Sequence, residues 1–199
     1  MERYPSIDGS SKAPLGKPCI AFYKYDGSNL RWEWNPKKGW FKFGTRTQLF
    51  DKNTELYNQA IPLFMKMGDE IVRRVKSVER ECQRITAYTE FFGASSFAGT
   101  HLMDEPKELR LFDVYLFKKG LMKPRQFLKV FGDMPQTAEV FWEGTLGKDF
   151  INKVRNQSEG ILNEGVVCKG DDFMVKIKTK HFLDKLKEVY ANGWENYWE

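Results

Sequence analysis

The chain has 199 residues, of which 41% are hydrophobic and 30% charged, and a formal net charge of +5. That balance suits one domain with an ordinary core, and no apolar run approaches the roughly 20 residues of a membrane-spanning helix. Cys19, Cys82 and Cys168 are odd in number and lack Cys-x-x-Cys spacing, so neither a disulfide framework nor a zinc site is suggested, and with His101 and His181 as the only histidines a histidine-rich metal site and a repeated histidine relay are excluded.

In chain order, residues 18–34 alternate around Asp26-Gly27, a dipeptide that favours a tight hairpin turn, and 40–45 continue the pattern after Asn35-Pro36-Lys37-Lys38-Gly39. Three antiparallel strands are expected. From 54 to 82, Leu56, Ile61, Phe64, Ile71, Val75 and Val78 recur at helical spacing, with Pro62 and Gly68 as interruptions, which predicts one broken helix or two in succession. Strands follow at 84–92 and 109–117, separated by a loop at 93–100 whose glycines and serines lack a phosphate-cradling lysine. A helix is expected over 147–157, strands over 161–169 and 173–178, and an amphipathic helix over 181–198, where Trp194, Tyr197 and Trp198 would pack. His101 and His181 are expected at the surface or in loops. The alternation of strands and helices gives an α+β class.

The modest basic excess favours a polyanionic partner, with Lys37, Lys38, Lys118 and Lys119 in turns available to phosphates. Arg73, Arg74, Lys76 and Arg80 share a predicted helix with Glu70, Glu79 and Glu81, and a solvated, charge-balanced face is the expected reading there.

Chemistry concentrates on one lysine. Lys24 sits in Tyr23-Lys24-Tyr25-Asp26-Gly27-Ser28-Asn29, and is followed in order by Phe43-Gly44-Thr45-Arg46-Thr47, Thr89-Glu90-Phe91-Phe92-Gly93, Leu111-Phe112-Asp113-Val114, Glu164-Gly165-Val166-Val167 and Val175-Lys176-Ile177-Lys178. This series resembles the covalent nucleotidyltransferase superfamily of DNA ligases, RNA ligases and messenger-RNA capping enzymes. Where DNA ligases and capping enzymes usually carry arginine five residues after the lysine, this chain has Asn29, which is similar to RNA ligases of the phage double-strand-type and editing group. Asp26 departs from that group, in which histidine is common.

The resemblance implies a single adenylyltransferase domain over 1–199, of nucleotidyltransferase (ATP-grasp-like) fold, with two antiparallel sheets enclosing a nucleotide cleft and no separate C-terminal OB domain. It implies ATP as substrate, Mg2+ or Mn2+ as the ion, and a lysyl-AMP intermediate on Lys24. In that scheme Glu164 helps to bind the metal, Lys176 and Lys178 contact the α-phosphate, and Glu90 accepts from ribose. Phe112 stacks on the base, Asn29 and Arg46 serve transfer and sealing, and the backbone at Tyr23 discriminates the base. The implied partner is RNA with 5′-phosphate and 3′-hydroxyl ends, in cytoplasmic RNA repair, with no membrane. A GTP-using nucleotidyltransferase and a low-turnover binder of nucleic-acid ends are the alternatives.

The residues themselves add two points. Lys176 and Lys178 lie two apart on a predicted strand and so share a face. An ordinary lysine is neutral to only on the order of one part in a thousand near neutral pH, so a nucleophilic Lys24 needs neighbours that activate it.

Overall fold

Period-two alternation builds strands on both sides of Asp26-Gly27, but the two strands enter different sheets. The computed structural model describes residues 1–94, 102–158, 160–190 and 192–194. Its elements in chain order are β1 (Asp8–Gly9), β2 (Pro18–Lys24), β3 (Ser28–Asn35), β4 (Gly39–Thr45), β5 (Leu49–Phe50), α1 (Ala60–Val78), β6 (Ile85–Phe92), β7 (Glu108–Leu116), β8 (Gly120–Leu121), α2 (Pro124–Phe131), β9 (Val140–Thr145), α3 (Lys148–Arg155), β10 (Gly165–Lys169), β11 (Met174–Lys178) and α4 (Lys180–Val189).

One sheet has the order β1-β11-β10-β2-β9 and the other β5-β4-β3-β6-β7-β8. Both are antiparallel apart from the two-residue β1, which pairs in parallel with β11. The chain divides into two compact units. The six-stranded sheet belongs to residues 1–4, 27–94 and 102–138, and the five-stranded sheet to 5–26 and the described part of 139–194.

The expected hairpin at Asp26-Gly27 is therefore corrected. β2 pairs with β9 and β10, and β3 with β4 and β6. Gly27 does not have the positive φ of a primed hairpin turn. What requires glycine is a close approach: a Cβ there would lie 2.4 Å from the Phe91 carbonyl oxygen. The true hairpin joins β3 to β4, where Asn35 Oδ1 accepts from the backbone N–H groups of Lys37 and Lys38 and Gly39 takes φ 66°.

In the six-stranded unit, α1 is one unbroken 19-residue helix, which corrects the expectation of an interruption. Pro62 falls in the first turn, where a missing N–H is harmless. Gly68 admits Trp40, whose Nε1 would meet a Cβ at 2.8 Å. The buried face of α1 presents Phe64, which stacks on Trp32 with ring centroids 4.1 Å apart and meets Trp40 edge-on at 4.7 Å. Fully burying a phenylalanine of this kind contributes about 1.5–3 kcal/mol.

In the five-stranded unit, α3 lays Phe150, Ile151 and Val154 on Ala21, Val166, Cys168, Val175 and Ile177. This core occupies one face of β2, β10 and β11 and leaves the other face for the site. The sequence reading had assigned no element to α2 or β9. For α2 the signal was present, with Pro124 at the start of the helix and Phe127, Val130 and Phe131 at i, i+3 and i+4. β9 lacks a clean alternation, and Phe141 and Trp142 are its residues packed against that core.

α4 ends at Val189, short of the expected 198. Residues 95–101, with His101, and Tyr197 and Trp198 lie outside the described residues. No helix among the described residues is long and apolar enough to cross a membrane.

Candidate active site

The register of β2, β10 and β11 brings distant residues into one row. Gly165 pairs with Lys24 on one side and with Lys178 on the other, so the two lysines flank a position that has no side chain. Directly opposed residues in an antiparallel ladder share a face. The next rows on that face are Phe22–Val167–Lys176 and Ile20–Lys169–Met174. Core residues Tyr23, Val166 and Ile177 alternate onto the opposite face.

Gly165 cannot readily be replaced. Its φ of +147° disfavours side chains, and a Cβ would stand 2.0 Å from the Ile177 carbonyl oxygen. The residue before it, Glu164, turns its carboxylate between the two lysines. Oε1 lies 2.7 Å from Lys24 Nζ and 3.3 Å from Lys178 Nζ.

The three side chains differ in exposure, at 22% for Lys24, 6% for Glu164 and 7% for Lys178. Burial pushes the Lys178 ammonium below its usual range, Glu164 counters that shift, and Lys24 adds to it by repulsion. A single carboxylate thus serves two cations in a largely dry setting. Lys178 Nζ also stands 5.1 Å from the centre of the Phe182 ring.

Lys169 joins this face, buried with its Nζ 4.9 Å from the Phe22 ring centre. The sequence reading passed over it, although counting by twos from Gly165 along β10 reaches it. Tyr23 packs edge-on against Phe141 at 5.4 Å, and its N–H donates to the Glu139 carbonyl.

The six-stranded unit carries the other expected residues. Asn29 on β3, Glu90 on β6 and Arg110 on β7 form a row across three strands. Asn29 Oδ1 and Arg110 Nε are buried without a hydrogen-bond partner among the described residues, while the Arg110 guanidinium is held at 2.8 Å by Glu108. Arg110 was not singled out in the sequence. Its position opposite Glu90 depends on a register that only the folded sheet defines.

Phe112 escapes the core because it is the extra residue of a β-bulge. Thr89 pairs with Leu111 and Tyr88 with Asp113, which leaves Phe112 unmatched. Its ring meets Tyr4 edge-on at 5.0 Å and lies 6.4 Å from Tyr88. Asp113 is buried and accepts a 2.6 Å hydrogen bond from Tyr4, whose hydroxyl is pushed up by burial and by that carboxylate.

Arg46 is exposed in the turn after β4 and makes no ion pair among the described residues. The turn itself is fixed, because Arg31 Nε donates to the Thr45 carbonyl at 2.7 Å and Thr45 N–H to the Gln48 carbonyl at 2.8 Å. On α1, Arg73 and Arg74 pair with Glu70, and Arg74 also pairs with Asp133, so these two arginines form the charge-balanced face expected of them.

The structure therefore brings Lys24, Glu164 and Lys178 into contact, with Lys176 one row away on the same face. Asn29 and Glu90 stand side by side in the other unit, which also carries Arg46 and Phe112.

No protein-family model matches the sequence, and no curated protein sequence matches it. Solved structures do. An RNA ligase variant of Naegleria gruberi with ATP and Mn superposes with a TM-score of 0.72 at 14% identity, over 94% of this chain and 59% of that one. The same organism's RNA ligase with pyrophosphate gives 0.70 at 17% identity, over 94% and 58%. A variant with AMP and Mn gives 0.69 at 14% identity, over 93% and 58%. This chain is similar in fold to these Naegleria gruberi RNA ligase structures, and spans about 58% of their length.

Proposed function

We propose that this chain is an ATP-dependent RNA ligase, or the nucleotidyl-transfer part of one, acting through a covalent lysyl-AMP on Lys24. The observation that carries the reading is the row Lys24–Gly165–Lys178 with the Glu164 carboxylate held between the two ammonium groups. A hairpin lysine of no function would be solvated. This one is mostly buried, beside an acid and a second amine.

In the first step Lys24 Nζ loses a proton and attacks the α-phosphorus of ATP. A P–N bond forms, the bond from the α-phosphorus to the bridging oxygen breaks, and pyrophosphate leaves with the electron pair. Glu164 Oε1, at 2.7 Å, is the acceptor in contact with that proton. Lys178 and Lys176, on the same face, bind the phosphate oxygens as charge builds on them. AMP then passes from Lys24 to a 5′-phosphate of RNA, and a 3′-hydroxyl attacks the activated end and releases AMP. Asn29 and Arg46 contact phosphate in these later steps, Glu90 accepts from ribose, and Phe112 offers a ring face to the base.

Glu164 also fits a divalent ion. No cluster of three or more metal-ligating side chains exists among the described residues, and one carboxylate completed by phosphate oxygens and water is the habit of magnesium. Bound there, Mg2+ or Mn2+ would neutralise phosphate charge and favour the neutral amine of Lys24.

Incubation with α-labelled ATP or GTP and either metal, followed by denaturing electrophoresis, tests the reading. A labelled protein with ATP that disappears in Lys24→Ala is expected. No adduct with either nucleotide would leave a binder of nucleic-acid ends, and preferential labelling by GTP would reassign the substrate.

A further inference from the structure

Glu164 ends a loop, yet its carboxylate has to stand between two lysines. Something must hold its backbone. The segment directly after Lys178 does so through three carbonyls. Thr179 N–H donates to the Glu164 carbonyl at 3.0 Å, and Thr179 Oγ1 donates to the Asn163 carbonyl at 3.1 Å. His181 Nε2 lies 2.9 Å from that same Asn163 oxygen, and His181 Nδ1 lies 3.1 Å from the Gln157 carbonyl. Carbonyl oxygens only accept, so whichever ring nitrogen carries the hydrogen is the donor to its carbonyl, and a neutral imidazole donates to one of the two at a time.

The Asn163 and Glu164 carbonyls belong to the two peptide planes on either side of the Glu164 Cα. With both planes held, the direction of its Cα–Cβ bond is set. Thr179 is fully buried, so a lost contact there is not replaced by water. Capping does not account for the histidine. Thr179 Oγ1 caps α4 by accepting from Phe182 N–H, whereas the His181 ring turns away to carbonyls that precede β10. His181, expected as a surface or loop residue, is instead part-buried in the first turn of α4.

We propose that His181, with Thr179, is a positioning residue: it clamps the Asn163–Glu164 backbone and so sets the Glu164 carboxylate against Lys24 and Lys178. The inference rests on the reading of Lys24 as nucleophile for its kinetic consequence, but not for its geometric one.

Two measurements on the whole chain test it. Crystal structures of the unaltered protein and of His181→Ala are expected to differ at Glu164, with its carboxylate displaced by about 1 Å or more from Lys24 Nζ in the variant, since a freed loop end relaxes by that order. In single-turnover adduct formation, His181→Ala and Thr179→Val are expected to be about tenfold slower at saturating ATP, because misplacement of this size costs tenfold or more. The ATP concentration for half-maximal rate stays within about twofold. Thr179→Ser restores the rate. Leu186→Ala, which empties a buried position of α4 without removing a hydrogen bond of the clamp, lowers the melting temperature and leaves the rate unchanged.

An unmoved carboxylate in His181→Ala overturns the clamp, as does a rate loss that Leu186→Ala reproduces. If the unaltered protein forms no adduct while the carboxylate moves in the variant, the clamp stands and the assignment of Lys24 falls.

Discussion

Replacing Glu164 by glutamine removes an anionic partner of Lys178, a lysine that is nearly dry. At the 3.3 Å separation of Lys178 Nζ and Glu164 Oε1, an effective dielectric of about 20 gives an attraction of about 5 kcal/mol. Part of that is offset because the variant no longer buries a carboxylate, and glutamine keeps an oxygen that accepts. Breaking one side of a buried pair typically costs about 3–5 kcal/mol, so a loss of about 2–4 kcal/mol near neutral pH is expected. For a chain of this length that lowers the melting temperature by about 4–16 °C, at about 2–4 °C per kcal/mol.

The pH dependence has a definite sign. Burial lowers the Lys178 ammonium in the folded state, so the unfolded chain binds that proton more tightly. Stability therefore rises with pH from the folded value up to the unfolded value of about 10.4. Without Glu164 the folded value drops further and this window opens earlier. The deficit of Glu164→Gln should then shrink as pH approaches about 10. Urea unfolding followed by tryptophan fluorescence across that range measures it. A variant as stable as the parent near neutral pH, or a deficit that stays constant on the alkaline side, would refute the account of Lys178 as a buried, Glu164-dependent charge.

Gly165→Ala should lose at least about 3 kcal/mol, since a strained φ alone costs about 1–3 kcal/mol and the new Cβ meets the Ile177 oxygen at 2.0 Å. A calorimetric melting temperature within a degree of the parent would contradict this. Phe64→Ala, which removes the partner stacked on Trp32, should cost about 3–5 kcal/mol by urea unfolding. A loss below 1 kcal/mol would mean that the unit packs differently. Asn29→Ala should leave adduct formation within a few-fold of the parent and slow sealing of a 5′-phosphorylated RNA nick, compared by gel assay of each step. Equal loss in both steps would place Asn29 in the first transfer instead.

Which residues gather at the candidate site was legible in sequence through the order of the motifs that carry them. Lys24, Glu164, Lys176 and Lys178 were all named from it, and the structure places three of the four in contact and the fourth on their face. Strand and helix content was legible because the apolar–polar alternation in β3 and the i, i+3, i+4 spacing in α1 are local patterns of side-chain type. Pairing was not. Asp26-Gly27 carries the local signature of a hairpin, and only the pairing of β2 with β9 and β10 and of β3 with β4 and β6 reveals it as a passage from one sheet to the other.

Tertiary structure alone decided the row Lys24–Gly165–Lys178, the bulge that turns Phe112 out of the core, the alignment of Arg110 with Glu90 and the grip of His181 on carbonyls before β10. Each joins residues far apart in the chain, and for those set by strand register a shift of one residue would turn every side chain to the opposite face. Local sequence sets which side chains alternate. Long-range pairing, held by the buried face of each sheet, sets which of them meet.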